Sequence, residues 1–364
     1  MAAARLLRTL AAALTHCGNF DRSDRSQSRA RPVSRGSGFA PVSSPSPGFV
    51  SVFVTTRDRL KLHVRCYGSR TSALPVVCLP GLARTAADFH SLAAALATDP
   101  AQPRWVVALD YRGHGQSEYD RNPDNYALGV DLADLSAVLT GLTIPPAIFV
   151  GTSQGGVLAM MLAQSRPNAI AGVVLNDIGP VIEPQGLLQM KGYVGKLPTP
   201  RDFAEGAEIL RWLFAKSFPK LVLQDWLALA QRTWREHGRG LVPDYDVRLA
   251  RTLDMNWARS LPSLWDQFDA LARVPLMVIR GANSHMLTST TLDAILARRV
   301  DVEVAVVPDQ GHAPLLTGPE LIGRIAAFIA SCDGSNCTTR SPSGPTDRPS
   351  GADLTFVTHA AAGS

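Results

Sequence analysis

The sequence has no long hydrophobic run, little cysteine and, in its central part, almost no surplus of charge. No stretch of the 364 residues approaches the ~18 apolar residues that a membrane-spanning helix needs. Residues 49–330 carry 27 Lys and Arg against 26 Asp and Glu, without the basic surplus that is typical of nucleic-acid binding. The net charge of +5 comes from residues 1–48, which hold seven Arg and two Asp. We therefore expect neither a nucleic-acid partner nor a membrane partner.

Cysteine is scarce and its spacing is uninformative. The five cysteines are an odd number without the spacing of metal ligands. Cys66 and Cys78 fall in apolar, strand-like runs, where free buried thiols are ordinary. This usage favours a reducing compartment, and we expect a cytoplasmic protein.

The two ends of the chain differ in composition from the middle. Residues 1–48 begin with an acid-free, Arg-bearing segment and continue as a Ser/Arg/Pro/Gly-rich sequence. Such a segment is compatible with an organellar transit peptide, a weak secretory signal or an extension without a role, and we favour the last. Residues 332–364 are rich in Ser, Thr, Gly and Pro. We predict that both ends are disordered.

Short apolar strands alternate with helical patterns between these ends. Two segments with period-two patterning open the series, and six further apolar segments follow, separated by helical patterns. This order predicts a mostly parallel eight-stranded sheet with an antiparallel start and helices on both faces. The predicted strands cover 49–55, 60–67, 76–81, 104–110, 147–150, 172–178, 275–281 and 302–307, and the predicted helices 89–97, 127–142, 288–298 and 319–330.

Residues 179–271 interrupt the alternation with a helical pattern that is rich in large aromatic side chains. We interpret this segment as a helical cap inserted between two parts of a core, 49–178 and 272–331. The aromatics could line a substrate pocket or form the core of the cap itself, and for any single one we favour the second role. They include Trp212, Phe214, Trp226, Trp234, Trp257 and Trp265.

The segment Gly151–Gly155 (GTSQG) follows an apolar strand and opens a helix of small residues. A sharp strand-to-helix turn of this kind holds the central serine in a strained conformation and lifts its hydroxyl clear of the sheet. Glycine at the second position on either side avoids collisions. Ser153 is therefore the candidate nucleophile.

A serine hydroxyl needs a base to take its proton, and a histidine follows the last predicted strand. His312 lies in the loop 308–314 (PDQGHAP), where glycine and proline shape a turn. We predict that His312 is this base.

Taken together, residues 49–330 resemble the α/β-hydrolase family. Four motifs in the family's order carry the resemblance: Leu79–Leu82 (LPGL), Asp110–Ser117 (DYRGHGQS), the serine turn and Gln310–His312 (QGH). The resemblance implies two backbone N–H groups that hold the oxyanion, and by position these belong to Leu82 and Gln154. Within the second motif, we assign a structural role to Arg112, Gly113, Gly115 and Ser117, which we expect to shape the loop behind the site.

The third member of the expected triad departs from the family pattern. Where the family commonly has an aspartate after the seventh strand, this chain has His285 in Arg280–His285 (RGANSH). Some members place the acid after the sixth strand, where this chain has Asp177. The histidine needs a neighbouring anion to fix its tautomer. The sequence leaves open whether Asp177, another carboxylate or no acid serves.

The resemblance implies a serine hydrolase that cleaves a small or medium carboxylic ester or lactone, without metal or cofactor. A serine nucleophile argues against the family's dehalogenases and epoxide hydrolases, which have an aspartate there. Two alternatives remain open. One is hydrolysis of a carbon–carbon bond on the same fold, and the other is a degenerate homologue that only binds a ligand, as the substitution at His285 would suggest.

Overall fold

The computed structural model describes residues 48–253 and 263–338. Its centre is an eight-stranded sheet with the strand order β1-β2-β4-β3-β5-β6-β9-β10. The pairs β1/β2 and β2/β4 are antiparallel and the other pairs are parallel, as the sequence predicts. The strands are β1 (Val50–Thr55), β2 (Lys61–Tyr67), β3 (Val76–Leu79), β4 (Val106–Leu109), β5 (Ala147–Thr152), β6 (Ile170–Asn176), β9 (Leu276–Gly281) and β10 (Glu303–Val307).

Two hydrophobic cores lie on opposite faces of this sheet. Successive side chains of β5 show the division: Phe149 belongs to one core, and Ile148 and Val150 belong to the other. The helices of the sheet domain are α1 (His90–Ala97), α2 (Leu128–Gly141), α3 (Gln154–Ser165), α8 (Ser289–Arg298) and α9 (Pro319–Thr338). Helices α2, α3 and α8 pack on the face with Phe149, while α1 and α9 pack on the face with Ile148 and Val150.

The inserted segment is not purely helical, which corrects the sequence interpretation. It contains a two-stranded antiparallel hairpin, β7 (Trp234–His237) and β8 (Gly240–Pro243). Gly238 turns the chain with a φ of +60°, a conformation that costs glycine little. The helices of this segment are α4 (Pro184–Tyr193), α5 (Phe203–Phe214), α6 (Leu223–Gln231) and α7 (Trp265–Asp269).

The aromatic residues of the insertion divide between several environments. Trp226 and Trp234 are buried in a separate small core, in agreement with the role that we favoured for them. Phe214, in contrast, lines a cavity above the sheet, and Trp212 is 58% exposed. Trp257 lies outside the described residues.

The last helix ends at Thr338, so the prediction of disorder from residue 332 is wrong for 332–338. Tertiary contacts explain the extension. Asp333 accepts hydrogen bonds from Leu74 N at 3.0 Å and from Gln102 Nε2 at 2.8 Å, and it forms an ion pair with the buried Arg104. Cys332 is fully buried beside Gly172. None of the helices in the described ranges is both long and apolar enough to cross a membrane. The predicted disorder of 1–47 and 339–364 concerns residues outside those ranges.

Candidate active site

Three predicted site residues meet at the carboxyl edge of the sheet. Ser153 follows β5, Asp177 follows β6, and His312 lies on the loop after β10. The Ser153 Oγ atom is 2.9 Å from His312 Nε2, and Asp177 Oδ2 is 2.8 Å from His312 Nδ1. Because a carboxylate only accepts hydrogen bonds, Nδ1 carries the proton and Nε2 is left to accept from the serine. The arrangement can withdraw a proton from the Ser153 hydroxyl.

The turn at Ser153 is as strained as the sequence predicts. Ser153 has a φ of +50°, and the helix α3 begins at the next residue. A Cβ atom at Gly155 would lie 2.0 Å from the Leu79 carbonyl oxygen, and one at Gly151 would lie 2.5 Å from the Gly155 backbone. Only glycine fits at these two positions, so the turn can form only with this sequence pattern.

Asp177 is fixed from several sides and is completely buried. Its Oδ1 accepts from Gly281 N at 2.8 Å, and its Oδ2 also accepts from the Ser284 hydroxyl. Its own backbone N–H donates to Ile279 O at 2.8 Å. A buried carboxylate is stable only when its oxygens accept such hydrogen bonds. These contacts come from β9 and from the loop that follows it. The same loop carries His285, at the position where the family commonly has its acid.

His285 itself does not take part in this contact with His312. Its side chain is exposed, and it lines a surface depression that also borders His312. Within the described residues, the carboxylate that contacts His312 is Asp177. The neighbouring Ser284 was not predicted as a site residue, because no motif marks a serine whose partner is 107 positions away in the sequence.

The loop that carries Leu82 is held close to Ser153 by a buried histidine. The Ala83 N–H donates to His114 Nε2 at 3.2 Å, and His114 Nδ1 donates to Arg112 O at 2.9 Å. Nε2 must therefore be unprotonated, and burial lowers the pKa of His114 in agreement with a neutral ring. The motif Asp110–Ser117 thus supports the loop from behind.

Gln154 is the first residue of α3, where backbone N–H groups have no partner within the helix. Its side chain donates from Nε2 to Asp131 Oδ2 at 2.9 Å. Asp131 is almost completely buried, and burial together with the nearby Asp134 raises its pKa to about 8. Sequence reasoning did not identify Asp131, since its acidic side chain lies on the buried face of an ordinary helix.

A cavity of about 120 Å³ opens above Ser153 and His312. Its wall is mostly apolar, but three charged side chains that the sequence did not single out reach it: Arg84, Asp88 and Arg232. In the part of the chain that the structure describes, no group of three or more His, Cys, Asp or Glu is arranged to hold a metal ion. The apolar lining comes mainly from Leu82, Met190, Tyr193, Leu210, Phe214, Phe218 and Leu229.

Comparisons with known proteins agree with this fold. A family model described as alpha/beta hydrolase fold matches residues 75–319. The chain is 29% identical to a 3-hydroxybutyrate-oligomer hydrolase of Cupriavidus necator over 79% of this chain and 98% of that protein. It is 32% identical to an sn-1-specific diacylglycerol lipase of Danio rerio over 71% of this chain and 78% of the lipase. An α/β hydrolase crystal structure from Novosphingobium aromaticivorans is 36% identical, with a TM-score of 0.73, over 78% of this chain and 98% of that one. The chain therefore belongs to the α/β-hydrolase fold family.

Proposed function

We propose that the protein is a serine hydrolase that cleaves a small or medium carboxylic ester or lactone. The observation that carries the proposal is the continuous chain of contacts from Ser153 Oγ through His312 to the buried Asp177. Nucleophile, base and orienting acid in this order are the arrangement that activates a serine. The names of two relatives, an oligomer hydrolase and a lipase, lend further support.

In the proposed mechanism, Ser153 Oγ attacks the carbonyl carbon while His312 Nε2 accepts the hydroxyl proton. Asp177 stabilises the imidazolium that forms, and the backbone N–H groups of Leu82 and Gln154 donate to the oxyanion. The ester C–O bond then breaks and the alcohol leaves with the proton from His312. A water molecule, deprotonated by His312, then attacks the acyl-enzyme. The acyl C–Oγ bond breaks, the acid leaves, and His312 returns the proton to Ser153 Oγ.

Two other functions remain as alternatives. Hydrolysis of a carbon–carbon bond would use the same serine and histidine, but a C–C bond breaks in place of the ester C–O bond and the leaving carbon takes up the proton. A pure binding protein has no need for a strained serine in contact with a histidine, so the geometry at Ser153 argues against it.

The test is turnover of short-chain p-nitrophenyl esters by the purified protein and by Ser153→Ala. We expect hydrolysis by the wild type and a loss of at least ~10³-fold in the variant, because the nucleophile is removed. Equal background rates in both proteins would contradict the proposal. A panel of carbon–carbon hydrolase substrates would then decide between the two alternatives.

A further inference from the structure

The charged residues at the cavity wall form one compact cluster. Arg84 lies on the loop after β3, and it donates from Nε to Asp88 Oδ2 at 2.7 Å and from Nη1 to Thr233 Oγ1 at 2.8 Å. Its Nη2 atom is 2.5 Å from Asp88 Oδ1. Arg232, which directly follows α6, approaches the same carboxylate from the inserted segment. Two guanidinium groups therefore share a single acid.

Arg232 is the poorly neutralised member of the cluster. Its Nε atom is buried and lies 3.3 Å from Asp88 Oδ1, yet it makes no hydrogen bond. Both oxygens of Asp88 already accept from Arg84. Within residues 48–253 and 263–338, no other carboxylate lies within 4 Å of Arg84 or Arg232. Burial is the main cause that lowers the pKa of Arg232, and the neighbouring Arg84 adds to it. The carboxylates of Asp88 and Asp225 act in the opposite direction without offsetting the two.

The cluster lies close to the candidate nucleophile. A Cβ atom at Gly81 would be 3.5 Å from Ser153 Cβ and 3.8 Å from Arg84 Cγ, so both side chains flank the same face of Gly81. Arg84 and Arg232 line the same cavity as Ser153 and His312, with mostly apolar groups around them. In such surroundings a guanidinium binds a carboxylate strongly, since little water competes.

We propose that Arg232, together with Arg84, binds a carboxylate that the substrate carries in addition to the ester that is cleaved. This inference rests on the proposed function, because it names the class of ester that fits the same cavity. The net positive charge of the cluster would be neutralised by the incoming anion. An ester of a dicarboxylic acid or of a hydroxy acid has the required chemistry.

The test compares esters that differ only in charge. The first pair is mono-p-nitrophenyl adipate and the matching carboxamide, p-nitrophenyl adipamate. The second pair places the charge on the alcohol side, as 3-(hexanoyloxy)butanoate and its carboxamide. We expect the wild type to show about 10- to 100-fold higher kcat/KM for the charged member of at least one pair.

Variants then assign this preference to the cluster. Arg232→Gln should reduce the ratio of charged to neutral rates to near one, and Arg232→Lys should retain part of it, because a cation remains. Arg201→Gln is the matched control, since Arg201 is 83% exposed and pairs with Glu205 on the surface. This control should leave both rates and their ratio unchanged.

The outcomes separate the inference from the proposed function. Hydrolysis of the neutral esters that depends on Ser153, but without preference for the charged ones, would overturn the inference alone. A preference that persists in Arg232→Gln would overturn it as well. If the wild type hydrolyses no ester better than Ser153→Ala, the proposed function fails. Calorimetric titration of Ser153→Ala with adipate and adipamide then decides: tighter adipate binding that requires Arg232 supports the inference, and equal or absent binding overturns it.

Discussion

The carboxylate in contact with His312 belongs to Asp177, while His285 stands where the family commonly has its acid. Strands β6 and β9 are parallel neighbours, so the residues that follow them reach the same edge of the sheet. Asp177 accepts from Gly281 N and from the Ser284 hydroxyl, both within the segment that ends at His285. The segment after β9 therefore supports the carboxylate instead of supplying it.

At this residue we predict that Asp177→Asn lowers kcat for ester hydrolysis by about 10⁴-fold. The amide can no longer stabilise the imidazolium or select the tautomer of His312 that accepts the Ser153 proton. The single variant His285→Asp should give no gain in turnover, because His312 Nδ1 already has its carboxylate at 2.8 Å. Steady-state kinetics with a p-nitrophenyl ester measures both effects. A large gain in His285→Asp, or normal turnover in Asp177→Asn, would show that Asp177 is not the working acid.

The sequence pointed to those candidate site residues whose local geometry is encoded in adjacent positions. Ser153 could be identified because Gly151 and Gly155 are required by the turn itself. Asp177 stayed one of three options, since its role depends on contacts with distant residues of β9 and its loop. Arg84 and Arg232 could not be found at all: they are separated by almost 150 positions, and only the folded chain brings them to Asp88.

At the scale of elements, those that follow from a local sequence pattern were predicted, and those that depend on tertiary contacts were missed. The strands were predicted well because short apolar runs between helical segments are typical of buried strands in a parallel sheet. The hairpin β7–β8 was missed, since Trp234 is buried while the next three residues are exposed, which is not a regular alternation. The end of α9 was missed because Ser331–Thr338 has weak helix propensity. Its first residues are held by contacts to Leu74 and Arg104, which lie in the segments before β3 and before β4.

We therefore predict that Asp333→Ala destabilises the protein by about 3 kcal/mol. The change removes the carboxylate that pairs with Arg104, whose side chain is only 2% exposed, and leaves the guanidinium charge buried with the neutral acceptors Leu74 O and Gln102 Oε1. Urea denaturation of the wild type and the variant gives the difference in the free energy of unfolding.

Asp269→Ala is the matched control for this element. It also removes an Asp–Arg pair, but both side chains are about half exposed, so the expected loss is below about 1 kcal/mol. Similar losses in the two variants would mean that Asp333 does not anchor the end of α9.

At the scale of the whole molecule, the buried acids of α2 connect stability to pH. Asp134 forms an ion pair with Arg112, whose Nε and Nη2 atoms both donate to it at 2.7 Å. Within residues 48–253 and 263–338, no Arg or Lys forms an ion pair with Asp131, one turn earlier, which accepts from Gln154 Nε2 instead. Burial and the Asp134 charge raise the pKa of Asp131 to about 8 in the folded protein, whereas an unfolded chain returns it to its ordinary range near 3.8.

Between these two values the folded state binds more protons than the unfolded state at this group, so the free energy of unfolding should fall as the pH rises. For a single group the slope reaches at most about 1.4 kcal/mol per pH unit. Asp131→Asn keeps an oxygen that accepts from Gln154 but cannot ionise, so it removes this term alone. Urea denaturation of both proteins from about pH 5.5 to about pH 8.5 should show the wild type losing stability relative to the variant at higher pH. A constant difference across this range would mean that Asp131 stays ionised in the folded protein, and that the polar groups around it stabilise the charge despite its burial.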